Sequence, residues 1–258
     1  MFEKIKCFIL DMDGTIYLGN ELFSFTKEFL KKVDETGRKY YFFTNNSSKS
    51  QQDYIEKLEK FGIRIKNQQM MTSTHVISRY LKQHYEGKSV YVVGTPSLIQ
   101  EFQYFGINVT EEDPDIVVLG FDTTLTYEKL SKACHYIRNG CIYFGINPDW
   151  NCPMEGGAFI PDCGSIAKLI EASTGRFPEF FGKPSKHTLD YIIQETGYEP
   201  DEIAIVGDRL YTDIAVADQS DVTSILVLSG ESTREDVKTS DVKPNVILED
   251  LSEITKML

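Results

Sequence analysis

The sequence predicts an α/β fold: a doubly wound, Rossmann-like parallel sheet with a second α/β unit inserted into it. Three observations carry the expectation. Apolar runs of strand length alternate with stretches of helical periodicity, the pattern of a parallel sheet covered on both faces. Four of those runs end abruptly in clusters of polar residues, and ligands of open α/β sheets gather at the carboxyl ends of strands. The stretch 77–178 lies between the second and third clusters, holds strand and helix signals of its own, and contains no such cluster. The chain is therefore expected to divide into a core at 1–76 and 179–258 and an inserted cap at 77–178.

The first strand is Cys7-Phe8-Ile9-Leu10, an apolar run with the length and bounds of a buried strand. Phe25, Phe29 and Val33 then recur at helical spacing, and Gly37 stands where a helix C-terminus is expected. Tyr40-Tyr41-Phe42-Phe43 is the next strand, followed by a helix marked by Ile55, Leu58 and Phe61 and stopped by Gly62-Ile63. The same ending recurs at Phe105-Gly106-Ile107 and Thr196-Gly197-Tyr198. Further strands are expected at 90–93, 115–119, 141–146, 178–181, 203–206, 224–228 and 246–248. Helices are expected at 96–104, 126–138, 165–173, 185–196 and 211–218.

Composition narrows the function. With 258 residues, 41% of them hydrophobic, the chain can bury a substantial core. A net charge of −12 argues against a nucleic-acid or anionic-membrane partner, each of which needs clustered Lys and Arg. No apolar stretch approaches the roughly 18 to 20 residues of a membrane span, and the first strand follows the N-terminus without a signal-peptide pattern. A cytoplasmic protein is expected. The five cysteines are scattered and form no C-x-x-C pair, so reduced structural thiols are expected rather than a zinc or disulfide framework. The four histidines show no ligand spacing and read as structural or surface residues.

The four polar clusters carry the chemistry. Asp11-Met12-Asp13-Gly14-Thr15 follows the first strand, and the i, i+2 spacing sets Asp11 and Asp13 on the same side of the chain. Thr44-Asn45-Asn46-Ser47-Ser48 follows the second strand just before a helix, a turn suited to phosphate. Gly182-Lys183-Pro184 follows Phe180-Phe181, and Gly207-Asp208-Arg209-Leu210-Tyr211-Thr212-Asp213 follows Ile205-Val206. Each has an ordinary explanation by itself: an acidic turn, a Ser or Asn helix cap, a surface lysine, an Asp cap. Together, on strands of one parallel sheet, they would gather Asp11, Asp13, Asp208 and Asp213 with Thr44, Asn45 and Lys183 along one edge. Carboxylates so crowded resist ionising together. A hard divalent cation removes the difficulty, and Mg²⁺ takes oxygen ligands of this kind with water and substrate phosphate.

In order, the four segments resemble the motif set of the haloacid dehalogenase superfamily of phosphohydrolases. Within it the chain is similar to the 4-nitrophenylphosphatase-like and NagD-like subfamily, which inserts a large α/β cap between the second and third motifs. Val118-Leu119-Gly120-Phe121-Asp122, Leu125-Thr126-Tyr127-Glu128-Lys129 and Asn147-Pro148-Asp149 add to the likeness. The resemblance implies that Asp11 is a nucleophile forming an aspartyl-phosphate and that Asp13 is the general acid and then the base. Thr44 and Lys183 would hold the phosphoryl group, with Asn45 and Asn46 assisting. Mg²⁺ would sit on the Asp11 carboxylate, the Asp13 backbone carbonyl and the Asp208 carboxylate, with Asp213 behind them orienting the metal's water or Lys183. The implied activity is Mg-dependent hydrolysis of small phosphate monoesters such as 4-nitrophenyl, sugar or nucleotide phosphates. A phosphotransferase or mutase of the same superfamily, or a catalytically silent metabolite-binding protein, is the alternative. The implied partner is a small phosphorylated metabolite, with the protein a monomer or homodimer. Cap loops set specificity in this family; the loop at 147–157 and the turn Asp162-Cys163-Gly164-Ser165 either face the pocket or are plain connections.

Overall fold

The four residues Cys7–Leu10 have no exposed face, none being more than 1% accessible. Only a central strand covered on both sides is buried in that way. In the computed structural model, which describes residues 2–154 and 157–258, this strand lies between Ile203–Gly207 and Lys39–Thr44, parallel to both. The full sheet has six strands in the order Val246–Leu248, Thr223–Val227, Ile203–Gly207, Cys7–Leu10, Lys39–Thr44, Met70–Thr72. Asp11, Thr44 and Asp208 thus emerge at the carboxyl ends of three adjacent strands. The helix Thr26–Glu35 buries Phe29, Leu30 and Val33, and the Phe29 ring meets Phe8 edge-on at 5.7 Å. Burial of one such side chain is worth about 2 kcal/mol.

The chain forms two compact units, one of Met1–Thr44, Ile55–Met71 and Lys183–Leu258, the other of Asn45–Tyr54 and Thr72–Gly182. The second unit has its own five-stranded sheet, ordered Glu179–Phe180, Ile142–Gly145, Ile116–Leu119, Ser89–Val93, Asn108–Val109, with every neighbouring pair parallel. Its core joins Tyr91, Val93, Val117 and Leu119 to Ile137, Ile166 and Ile170 of two helices, Tyr127–Arg138 and Cys163–Thr174. The expected α/β architecture with parallel sheets is therefore present. Among the described residues no helix is long and apolar enough to cross a membrane.

Three expectations are corrected. The strand expected at 178–181 is Glu179–Phe180, and it joins the five-stranded sheet instead of the six-stranded one. Gly145 makes the room: a Cβ there would stand 2.3 Å from the Phe180 ring. The unit boundaries accordingly fall at Thr72 and Gly182, outside 77–178, and the second unit also takes 45–54, because Ser73 and Ser47 are tied to neighbours within it. Finally, 211–218 is no regular helix. The N–H groups of Asp213 and Ile214 both donate to the Arg209 carbonyl, at 3.0 and 3.2 Å, making a wide turn over Leu210–Ile214 before a tight one at Ala215–Ala217. The helices Ser73–His84, Arg234–Thr239 and Leu251–Met257 add to those expected.

Candidate active site

Lys183 is the hub of the first unit's polar centre. Its side chain is 3% exposed, and its Nζ donates to Asp11 Oδ1 at 2.6 Å, Asp213 Oδ1 at 2.5 Å and the Phe43 carbonyl at 3.4 Å. Asp11 and Asp208 enter from adjacent parallel strands, and one carboxylate oxygen each of Asp11, Asp208 and Asp213 lies within 4.8 Å of the others. Burial works against the Lys183 charge, but Asp11 and Asp213 outweigh it and hold its pKa above the ordinary lysine value.

The carboxylates are less well provided. Burial, then the charge of Asp213, pushes Asp11 up to about 7 against the opposing pull of Lys183. Burial, then Asp11 and Asp213, raises Asp208 well above the ordinary carboxylate range. Asp208 Oδ2 accepts the Glu231 N–H at 2.7 Å, whereas its Oδ1 is buried with no hydrogen-bond partner. An unpartnered buried oxygen of this kind costs about 1 to 3 kcal/mol. Both oxygens of Asp213 are engaged, Oδ1 by Lys183 and Oδ2 by the Arg209 N–H at 3.1 Å.

Glycines clear the space around Asp208. A Cβ at Gly14, whose φ is +84°, would stand 2.3 Å from Asp208 Oδ2, and one at Gly230 would stand 2.0 Å from it. Ser229 Oγ joins the two walls by donating to the Gly14 carbonyl at 2.7 Å. The loop at 229–232 also supplies Glu231, which pairs with Arg209 at 2.9 Å and accepts from Tyr211 OH at 2.9 Å. Nothing in the apolar pattern marks this loop; only its position after a buried strand could have flagged it. A bare carboxylate oxygen, a close-set carboxylate group and a side-chain-free cradle fit a hard divalent cation, for which oxygen donors are the natural ligands.

Of the other expected residues, Asp13 is half-buried two positions past Asp11 and bridges to Tyr17. Thr44, 7% exposed, ends its strand. Asn45 and Asn46 belong to the second unit. There Asn46 Oδ1 accepts the Ser48 N–H at 2.9 Å and its hydroxyl at 2.7 Å, so this amide shapes the turn. The Asn45 amide donates to Asp149 at 2.9 Å. In the stretch at 147–157, residues 155 and 156 lie outside the described residues. Asp162–Ser165 opens a helix, with Asp162 accepting the Cys163 N–H at 2.5 Å.

Two family models match the chain, haloacid dehalogenase-like hydrolase over residues 8–108 and HAD-hydrolase-like over residues 180–254. An acid sugar phosphatase of Staphylococcus aureus strain MRSA252 is 34% identical over 252 residues, 97% of each chain. The crystal structure of 4-nitrophenylphosphatase from Thermotoga maritima superposes with a TM-score of 0.95 at 42% identity, covering 99% of this chain and 98% of that one. NagD from E. coli K-12 superposes with a TM-score of 0.88 at 31% identity, covering 96% and 98%. With four motifs in order, the carboxylate–lysine centre and this likeness over its whole length, the chain belongs to the haloacid dehalogenase-like hydrolases, on the branch of NagD-like and 4-nitrophenylphosphatase-like phosphatases.

Proposed function

We propose that the chain is a Mg²⁺-dependent phosphatase that hydrolyses small phosphate monoesters, sugar phosphates foremost, through an aspartyl-phosphate on Asp11. The observation that carries the reading is the buried Lys183 bridging Asp11 and Asp213 beside the bare Asp208 Oδ1. Likeness to proteins named acid sugar phosphatase and 4-nitrophenylphosphatase supports this substrate class. Five free cysteines suit a reducing, cytoplasmic setting.

The Asp11 carboxylate attacks phosphorus while the bond from phosphorus to the ester oxygen breaks, and Asp13 gives that oxygen its proton. Asp13, now ionised, takes a proton from water as the water oxygen attacks the aspartyl-phosphate, releasing inorganic phosphate and the Asp11 carboxylate. One hard hydrolysis becomes two easier displacements. Lys183 and Thr44 hold the phosphoryl oxygens, Asn45 and Asn46 assist through the turn, and Asp213 fixes the Lys183 ammonium. Asp11, the Asp13 backbone carbonyl and Asp208 would hold the cation, which supplies positive charge against the repulsion between carboxylate and phosphate dianion.

The test is phosphate release from 4-nitrophenyl phosphate and a panel of sugar and nucleotide phosphates by the purified protein. Activity is expected with Mg²⁺, lost in chelator and restored by added Mg²⁺. Undiminished turnover in excess EDTA removes the metal from the mechanism, and release from none of the panel overturns the reading.

A further inference from the structure

The second unit contains a buried polar network of which the reaction above uses only Asn45. Asp149, 4% exposed, accepts from Asn45 Nδ2 and from Asn147 Nδ2, each at 2.9 Å, on one oxygen, Oδ2. Asn147, fully buried, also donates from Nδ2 to Asp162 Oδ1 at 2.9 Å and accepts Ser47 Oγ at 2.7 Å. Ser47 Oγ in turn accepts the Phe121 N–H at 2.8 Å, and Ser73 Oγ donates to the Asn45 carbonyl at 2.8 Å. Gly164 lets the backbone carrying Asp149 lie against a helix start: a Cβ there would meet the Pro148 carbonyl oxygen at 2.3 Å.

The other end of the Asn45 amide lies close against Gly182. A Cβ on Gly182 would stand 2.7 Å from Asn45 Oδ1 and 2.9 Å from the Ile146 carbonyl oxygen, and the Gly182 N–H donates to that carbonyl at 2.6 Å. Asn45 follows Thr44 directly, and Gly182 directly precedes Lys183. The two segments that carry the phosphate-binding groups therefore meet at the Asn45 side chain, and a carboxylate more than a hundred positions along the chain from Asn45 fixes how that side chain is turned.

We infer that Asp149 is a positioning residue for phosphate binding, acting through Asn45 and the Asn45–Gly182 contact. It holds the Thr44–Asn45 and Gly182–Lys183 segments in register with each other and takes no part in bond making. Small displacements of such groups are costly, since oriented contacts lose strength steeply with misplacement. The inference rests on the phosphatase reading above.

The experiment uses the full chain with Mg²⁺, 4-nitrophenyl phosphate as substrate and inorganic phosphate as competitive probe. Asp149→Ala is expected to raise both KM and the inhibition constant for inorganic phosphate by about tenfold, with a smaller change in kcat, as for a lost binding interaction. Asp149→Asn keeps one acceptor oxygen and is expected to lose about threefold. Placed in an Asn45→Ala background, Asp149→Ala is expected to add less than about twofold, because residues acting through one contact are not additive. Unchanged phosphate inhibition in a folded Asp149→Ala protein overturns the inference. Fully additive losses in the double variant overturn it too, since they would reduce Asp149 to general support of its unit. Should Asp149→Ala fail to fold, the cycle built on Asp149→Asn carries the same two outcomes. Failure of the underlying reading looks different: the wild-type protein would itself neither release phosphate nor be inhibited by it.

Discussion

Two buried polar regions of this chain are both built around aspartates and solve opposite problems. Around Lys183, two of three crowded carboxylates, Asp11 and Asp213, share one ammonium and the third, Asp208, keeps a bare oxygen. Around Asn147, two carboxylates, Asp149 and Asp162, are knitted by amide and hydroxyl donors into a net that ties together three segments, at 45–47, 147–149 and 162. The first region is left short of positive charge, as a site awaiting ligands must be. The second spends its donors on itself, which fixes geometry. Burial of polar groups is thus no signature of function; incomplete satisfaction is the sharper one.

The comparison breaks most sharply at Asp11. Asp11→Asn is expected to lower turnover of 4-nitrophenyl phosphate by roughly 10⁴-fold or more, with an unchanged circular dichroism spectrum. Substantial retained activity refutes the nucleophile. Asp13→Asn is expected to cost about 10² to 10⁴ on an alkyl phosphate, the usual worth of acid–base catalysis, and much less on 4-nitrophenyl phosphate, whose leaving group needs little protonation. Equal losses on both substrates contradict the acid role.

Lys183→Met leaves the surrounding carboxylates unpaired, and loss of about 3 kcal/mol or more of unfolding free energy is expected in urea melts without metal. Added Mg²⁺ should recover part of it, which would not happen for a side chain in the saturated network. Gly230→Ala drives a methyl group toward Asp208 Oδ2; a tenfold or so weaker Mg²⁺ requirement constant is expected, and titration of activity against Mg²⁺ checks it.

The smallest effect concerns Glu101, a third kind of buried carboxylate, in the second unit. Its Oε1 accepts the Gln51 N–H at 2.7 Å, its Oε2 is bare, and burial pushes its pKa up to about 7. The folded chain keeps this proton where the unfolded chain has lost it, so the contribution to stability is complete below about 4.5 and is lost as pH rises through 7. Melts between those limits should show stability falling with pH by on the order of 1 kcal/mol per unit, and Glu101→Gln should flatten that slope.

Much of this was legible in the sequence because the motif strands are apolar throughout and end abruptly. The runs before Asp11, Thr44 and Asp208 locate three strand ends of one sheet. The Lys183 segment misled: Phe180-Phe181 reads like the others, and only the missing side chain at Gly145 shows which sheet it joins. Ser73–His84 is absent from the expected helices although Val76, Ile77, Tyr80 and Leu81 recur at helical spacing and Thr72 caps it. The walls at 229–232 carry no hydrophobic signal, and the link from Asn45 to Asp149 spans 104 positions, beyond the reach of any local pattern.

The glycine cradle of Asp208 has a consequence for folding. Ser229 must reach back 215 positions to the Gly14 carbonyl to close the wall. Contacts so distant in sequence form late. A chain cut short of residue 230 would still hold Asp11, Lys183 and Asp208 while lacking the enclosure around them, so the carboxylates and lysine alone do not make the complete site.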